Sequence, residues 1–169
     1  MKQLFHTMAK AGFVVFMMVV FAATGFPQEQ KLKPIIDKYV EIWNSGNVKD
    51  LDAIINIHFI RRANLQPKVE GVAGLKKVIA GFRTAYPDLK IAVEEEIYGD
   101  NKSVGRWVLT GTNTGPGEMP PTGKSVRIWG VSTIHFAHGK LTEEWASFDN
   151  QSLMQQLGFT MKPPVVMKK

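Results

Sequence analysis

The order of apolar and polar positions predicts three helices in the first half of the chain. Apolar residues recur at steps of three and four over residues 31–43, which places them on one helical face. Asn47 can cap a second short helix, and residues 71–86 form a third. Residues 57–62 between these two read as extended. The apolar faces of the helices should therefore cover one side of a sheet formed by the second half of the chain.

The pattern then changes from helical spacing to alternation. Leu89, Ile91 and Val93 alternate with polar or small residues, which is typical of a half-buried strand. The alternation predicts three more strands and a last short helix, at residues 103–114, 125–137, 140–148 and 150–157 respectively. Three helices on a curved antiparallel sheet give a single α+β domain with a cone-shaped hollow.

The N-terminus has the pattern of a secretory signal peptide. A basic start precedes an apolar run of 13 residues, Ala11 to Ala23, and small residues follow at 22–25. The run is too short to span a bilayer as a helix, which takes about 20 residues. We therefore expect residues 1–25 to be removed, residues 26–160 to form the domain, and residues 161–169 to be a loose basic tail. The product would be exported, periplasmic or secreted, with no stable membrane span.

Composition narrows the range of functions. The chain has no Cys, so packing alone must stabilise it outside the cytosol. The formal net charge is +6, but the basic residues are scattered pairs rather than a stripe with aromatics, which argues against nucleic-acid binding. His58 and His135 lack the carboxylate–His spacing of a metal site, so no metal is expected.

Asp149 is the first candidate for chemistry. It ends a strand beside Trp145 and Phe148 and directly precedes the last helix. Burying a carboxylate without a partner is costly, so this position indicates either a helix N-cap or a group held for catalysis.

The segment from Tyr39 to Gly158 resembles the SnoaL-like polyketide cyclases, also called ester cyclases, of the NTF2-like superfamily. The similarity is carried by short motifs in the family order: Trp43-Asn44-Ser45-Gly46-Asn47, Tyr86-Pro87-Asp88-Leu89, Arg106-Trp107, Gly111-Thr112-Asn113, Pro121-Thr122-Gly123-Lys124, Glu144-Trp145 with Asp149, and Gln156-Leu157-Gly158. The resemblance implies an NTF2-like (cystatin-like) cone that binds a small apolar or anionic carbonyl compound. It also implies cofactor-free acid/base chemistry, of the aldol-cyclisation or isomerisation type, and a homodimer formed through the outer face of the sheet.

The resemblance also implies site residues. Asp149, four residues after Trp145, matches the acid/base position of the cyclases, and His135 has the offset of a second pocket residue. Strand alternation leaves open which sheet face carries His135. The expected ligand-binding residues are Tyr39, Trp43, Arg62, Trp107, Asn113, Trp129 and Trp145, with the Tyr39 hydroxyl as an oxyanion donor.

Two departures from the family weaken the case for catalysis. Arg62 and Asn113 stand where relatives usually have His, and Asn cannot transfer a proton near neutral pH. A carrier or sensor without catalytic activity, or a dimerising scaffold with a filled cone, are therefore the alternatives to an enzyme.

Overall fold

The computed structural model describes residues 27–64, 66–160 and 162. In chain order, the elements are α1 Pro27–Ser45, a 3-10 turn Val48–Asp50, α2 Leu51–Ile54, β1 Ile55–Ala63, β2 Val69–Glu70, α3 Gly71–Ala85, β3 Lys90–Tyr98, β4 Lys102–Thr112, β5 Ser125–Ala137, β6 Lys140–Phe148 and α4 Asn150–Leu157. The predicted signal peptide and nearly all of the predicted tail lie outside these residues.

The six strands form one sheet in the order β2-β1-β6-β5-β4-β3. Most neighbours are antiparallel, but β1 runs parallel to β6. The predicted α+β class is confirmed. The extended segment predicted at residues 57–62 is strand β1. The expectation of a purely antiparallel sheet needs correction, because β1 lies second from the edge and pairs in parallel with β6.

Helices α1 and α3 cover the concave face of the sheet with a continuous apolar core. Ile36 and Trp43 of α1 and Ile79 of α3 meet Phe59 and Ile134 of the sheet. A second cluster fills the other end of the cone, where Tyr86, Leu109, Ile128 and Leu157 pack together. The helices therefore leave only part of the cone open.

Turn residues adopt the conformations that their sequence favours. Gly46 after α1 has φ +73° and Gly158 after α4 has φ +96°, the left-handed region in which glycine ends helices. His138 and Gly139 both have positive φ, as a two-residue hairpin between β5 and β6 requires. Within the described residues, no helix is long and apolar enough to cross a membrane.

Candidate functional site

The remaining hollow lies between α1 and the concave face of β3 to β6. Its volume is about 60 Å³. The lining includes apolar side chains, from Ile36, Val40, Trp43, Ile91, Val93, Trp107 and Ile134. It also includes polar ones, from Tyr39, Arg61, Glu96, Ser103, Ser132 and Glu144.

Three of the polar lining residues donate hydrogen bonds to the buried carboxylate of Glu144. Oε2 accepts a hydrogen bond from the Tyr39 hydroxyl at 2.8 Å and one from Nε of Arg61 at 2.9 Å. Oε1 accepts from the Ser132 hydroxyl at 3.0 Å. The indole Nε1 of Trp107 donates in turn to Ser132 Oγ at 3.0 Å, so one hydrogen-bonded network links residues of five elements.

A β-bulge in β6 turns Glu144 into the cone. His135 pairs with Glu143 and Phe136 pairs with Leu141, so Thr142 has no partner on β5. Such an extra residue reverses which face the side chains after it point to. Without the bulge, strict alternation starting from the fully buried Leu141 would point Trp145 inward and Glu144 outward.

Arg61 is the cationic partner of Glu144. Its side chain lies on the same buried side of β1 as those of Phe59 and Ala63, and only 7% of its surface is exposed. Its guanidinium lies 5.6 Å from the centre of the Trp43 ring. Arg61 donates to Glu144 through Nε, and among the described residues none accepts a hydrogen bond from either of its terminal nitrogens.

The network fixes the protonation states of Tyr39 and Arg61. Burial, together with the Glu144 carboxylate, keeps the pKa of Tyr39 well above its ordinary value, so the phenol stays neutral and donates. Burial is the largest single influence on Arg61 and lowers its pKa, but the Glu144 charge together with smaller contributions from Tyr39 and the hydrogen bonds outweighs it, so the pKa is raised. The pair is therefore a buried guanidinium–carboxylate pair with near-zero net charge.

Three of the predicted ligand-binding residues line this hollow. These are Tyr39, Trp43 and Trp107. Their roles differ from the expectation in one respect: the Tyr39 hydroxyl donates to Glu144 rather than to open space, so it supports the carboxylate instead of facing a ligand directly.

The structure places Asp149 outside the hollow as the N-cap of α4. Its Oδ1 accepts from the backbone N–H of Ser152 at 2.8 Å, which is the capping arrangement that satisfies a free N–H of the first turn. The capping alternative is confirmed, and the geometry adds nothing to the catalytic one.

Four further predicted residues lie on the convex face of the sheet. Arg62 pairs with Glu143 and its guanidinium stacks 4.6 Å from the centre of the Trp145 ring. His135 faces the same way, with Nδ1 3.4 Å from Glu143 Oε2. Trp129 and Trp145 are 55% and 52% exposed. The structure thus resolves the open question about His135, which points away from the cone.

Asn113 is buried but structural. Its Oδ1 accepts from the N–H and hydroxyl of Thr122, at 2.8 and 3.1 Å, and its Nδ2 is 3.4 Å from the Ala85 carbonyl. It fastens the connection between β4 and β5 to the end of α3. Strand β4 ends at Thr112, so Asn113 lies outside the sheet, whereas the sequence pattern predicts a strand that continues to residue 114.

Sequence reasoning missed Arg61, Ser132, Glu144 and Glu96. Alternation along β1 could have identified Arg61, because residues 59, 61 and 63 form its more apolar side. No comparable signal marks the two glutamates, since bulges decide their direction. In the described part of the chain no three His, Asp or Glu side chains cluster as metal ligands.

Comparison with known proteins shows the family to which this fold belongs. The family model of the SnoaL-like polyketide cyclases matches residues 33–157. The chain belongs to this family. No protein of curated function matches it significantly.

Solved structures show the same SnoaL-like fold at low identity. A candidate SnoaL-like polyketide cyclase from Jannaschia sp. CCS1 is 20% identical, with TM-score 0.73, covering 85% of this chain and all of its own (100%). A candidate polyketide cyclase from Acidithiobacillus ferrooxidans is 24% identical, with TM-score 0.67 and coverage of 79% and 97%. Wild-type IdmH, a candidate polyketide cyclase from Streptomyces antibioticus, is 21% identical, with TM-score 0.65 and coverage of 76% and 99%.

Proposed function

We propose that this SnoaL-like protein is exported and binds a small, neutral carbonyl compound in the hollow between α1 and the sheet. The observation that carries the proposal is the hydrogen bonding and charge balance of Arg61. Its terminal N–H groups are not taken up by the described residues, while its charge is balanced by Glu144. Such a group binds a carbonyl oxygen without requiring a negative charge on the ligand.

The charge balance favours a neutral ligand over an anionic one. Arg61 faces Glu144 directly, and a second carboxylate, Glu96, also lines the hollow. A carboxylate ligand would meet more negative than positive charge at short range. The apolar residues of the lining suit a short hydrocarbon chain.

The size of the hollow favours a compact ligand. Typical small-molecule pockets measure roughly 300–1,000 Å³, whereas this one measures about 60 Å³. A multi-ring polyketide does not fit it in this conformation. A compact ketone or ester of a few carbons suits it better.

Binding can serve either a carrier or an enzyme. Asp149 caps α4 outside the hollow, and both oxygens of Glu144 accept hydrogen bonds, so neither carboxylate is placed to take a proton from a bound ligand, which favours a carrier. Membership of the cyclase family favours cofactor-free proton transfer at the carbonyl compound. The second carboxylate of the hollow, Glu96, supports this second candidate, because it has fewer hydrogen-bond donors than Glu144.

The convex face supports the proposed homodimer. Trp129 and Trp145 are exposed there, together with Ile97 and Val104. A Trp145→Ser variant should shift the protein from dimer to monomer in sedimentation equilibrium. A wild-type protein that sediments as a monomer at every concentration would contradict the proposal.

Export is tested separately, by finding a mature N-terminus near residue 26 in the secreted or periplasmic fraction.

Saturation-transfer NMR with butan-2-one tests the binding proposal. We expect saturable binding of butan-2-one and weaker binding of propanoate. Gly105→Val should abolish it, because Gly105 lines the hollow and its added Cβ meets only ordinary contacts, the nearest at 3.6 Å. Thr110→Val, at an exposed position of the same strand, is the matched control. Binding that survives in Gly105→Val would contradict the site, and preference for propanoate would contradict the ligand class.

A further inference from the structure

A second β-bulge turns another carboxylate into the hollow. In β3, Val93 pairs with Trp107 and Glu95 pairs with Arg106, which leaves Glu94 without a partner on β4. The extra residue reverses the facing of the side chains after it, so Glu96 lies opposite Gly105 and lines the hollow. The fold thus uses the same device twice, in β3 and in β6, to bring a glutamate inward.

The two glutamates differ in how their oxygens are used. Both oxygens of Glu144 accept hydrogen bonds within the network. In Glu96, Oε2 accepts from the Tyr98 hydroxyl at 2.6 Å, while no described residue donates to Oε1. Oε1 is near Gly105, since a Cβ built on that glycine would lie 3.9 Å from it. Glu96 therefore has one oxygen anchored and one oxygen free.

Tyr98 fixes the orientation of this carboxylate. Burial and the hydrogen bond to Glu96 raise the pKa of the Tyr98 phenol, which therefore remains a donor across the neutral range. An anchored carboxylate with a free oxygen beside a cavity meets the geometric requirement for a general base.

We propose that Glu96 is the proton acceptor of this site. The inference rests on the proposed function, in which a carbonyl compound binds with its oxygen at Arg61. Oε1 of Glu96 takes a proton from the carbon next to the carbonyl, and the C–H electron pair becomes the C=C bond of an enolate. The former π pair moves to the oxygen, where the N–H groups of Arg61 stabilise the charge.

The step is balanced without a cofactor. In hydrogen exchange, the proton on the Glu96 carboxyl is first replaced by one from solvent, which is then delivered to the same carbon. In isomerisation, the carboxyl delivers its proton to another atom of an extended enolate. No oxidant or reductant is needed. Glycine at position 105 leaves space for the reacting carbon beside Glu96.

Deuterium exchange tests the assignment. We expect wild-type protein in D₂O to accelerate incorporation of deuterium into butan-2-one, followed by NMR, above the rate in buffer. Glu96→Gln should lose about 10²- to 10⁴-fold of that acceleration, the usual contribution of a general base, while still binding butan-2-one in saturation-transfer NMR. Gln keeps an acceptor for Tyr98, so the fold should be retained in thermal unfolding.

Glu95→Gln is the matched control. Glu95 is the neighbouring glutamate on the convex face, where its Oε2 lies 3.5 Å from Nε of Arg106. The deuterium exchange rate of Glu95→Gln should equal that of the wild type. Glu96→Asp keeps the charge but shortens the reach, so it should exchange at an intermediate rate.

Each result distinguishes the proposed function from the role of Glu96. A wild-type protein that does not bind butan-2-one overturns the proposed function and with it this inference. Binding without accelerated exchange overturns the inference alone and leaves a carrier. If Glu96→Gln exchanges deuterium at the wild-type rate, another group accepts the proton and the assignment of Glu96 is overturned.

Discussion

Trp107 and Gly130 are directly paired across β4 and β5, and the indole ring lies over the glycine. A Cβ at Gly130 would lie 2.4 Å from both Cζ2 and Cη2 of the ring and 2.8 Å from the Ser147 carbonyl oxygen. The absence of a side chain at Gly130 therefore lets Trp107 reach Ser132 and border the hollow.

Gly130→Ala should disrupt this arrangement. Overpacking of this kind costs about 1–3 kcal/mol, and the clash displaces the indole from Ser132. Urea unfolding and near-ultraviolet circular dichroism measure the two effects. Gly81→Ala is the control: it lies in α3 with nothing within 4 Å of the added Cβ, and should stabilise the protein slightly. Equal stability of Gly130→Ala and wild type would show that the ring moves freely.

Arg61→Met and Arg62→Met should differ sharply. Removing Arg61 leaves the buried Glu144 carboxylate without its cation, which typically costs about 3–5 kcal/mol. Arg62 is partly exposed and pairs with Glu143 on the convex face, where such pairs contribute up to about 1 kcal/mol. Urea denaturation compares them. The double variant Arg61→Met with Glu144→Leu should recover much of the loss, and similar losses for the two single variants would contradict the assignment.

Asp149 variants separate capping from chemistry. Asp149→Ala should cost about 1 kcal/mol, because the N–H of Ser152 loses its acceptor, whereas Asn caps nearly as well as Asp. Chemical denaturation of both variants measures this. In the exchange assay Asp149→Asn decides the role: we expect exchange to be retained, and a stable variant without exchange would restore Asp149 as the base.

The three tyrosines should resist ionisation in the folded protein. Burial raises the pKa of Tyr39, Tyr86 and Tyr98, with Glu144 and Glu96 adding to the effect at Tyr39 and Tyr98. In the unfolded chain they ionise near pH 10. Their contribution to stability is therefore complete below about pH 10 and is lost as the pH rises above it. Tyrosinate absorbance should rise only with unfolding, and a tyrosine titrating near pH 10 in native protein would contradict this.

Much of the fold could be predicted from the sequence because its signals are local. Residues 125–137, 140–148 and 150–157 were predicted with the bounds that the structure has, since alternation and turn residues mark their ends. The parallel pairing of β1 with β6 could not be predicted, because no local pattern encodes which distant strand becomes a neighbour.

The site was predicted less well than the fold. Tyr39 and Trp43 were expected in the site from the family resemblance, helical periodicity places both on the apolar face of α1, and both line the hollow. Trp145 was expected inward and Glu144 was overlooked, because strict alternation fails at the unpaired Thr142. Asp149 was correctly identified as a special position, but its ambiguity between cap and base is one that sequence alone leaves open.

The two bulges have a consequence for comparisons across the family. Which glutamates face inward depends on a count of residues along β3 and β6, and not only on residue type. A one-residue insertion or deletion at either bulge, before the glutamate, would reverse the facing of the residues that follow it in that strand with no substitution at Glu96 or Glu144. Homologues can thus gain or lose these groups through changes in length, and aligned identity at position 96 or 144 does not by itself transfer a role.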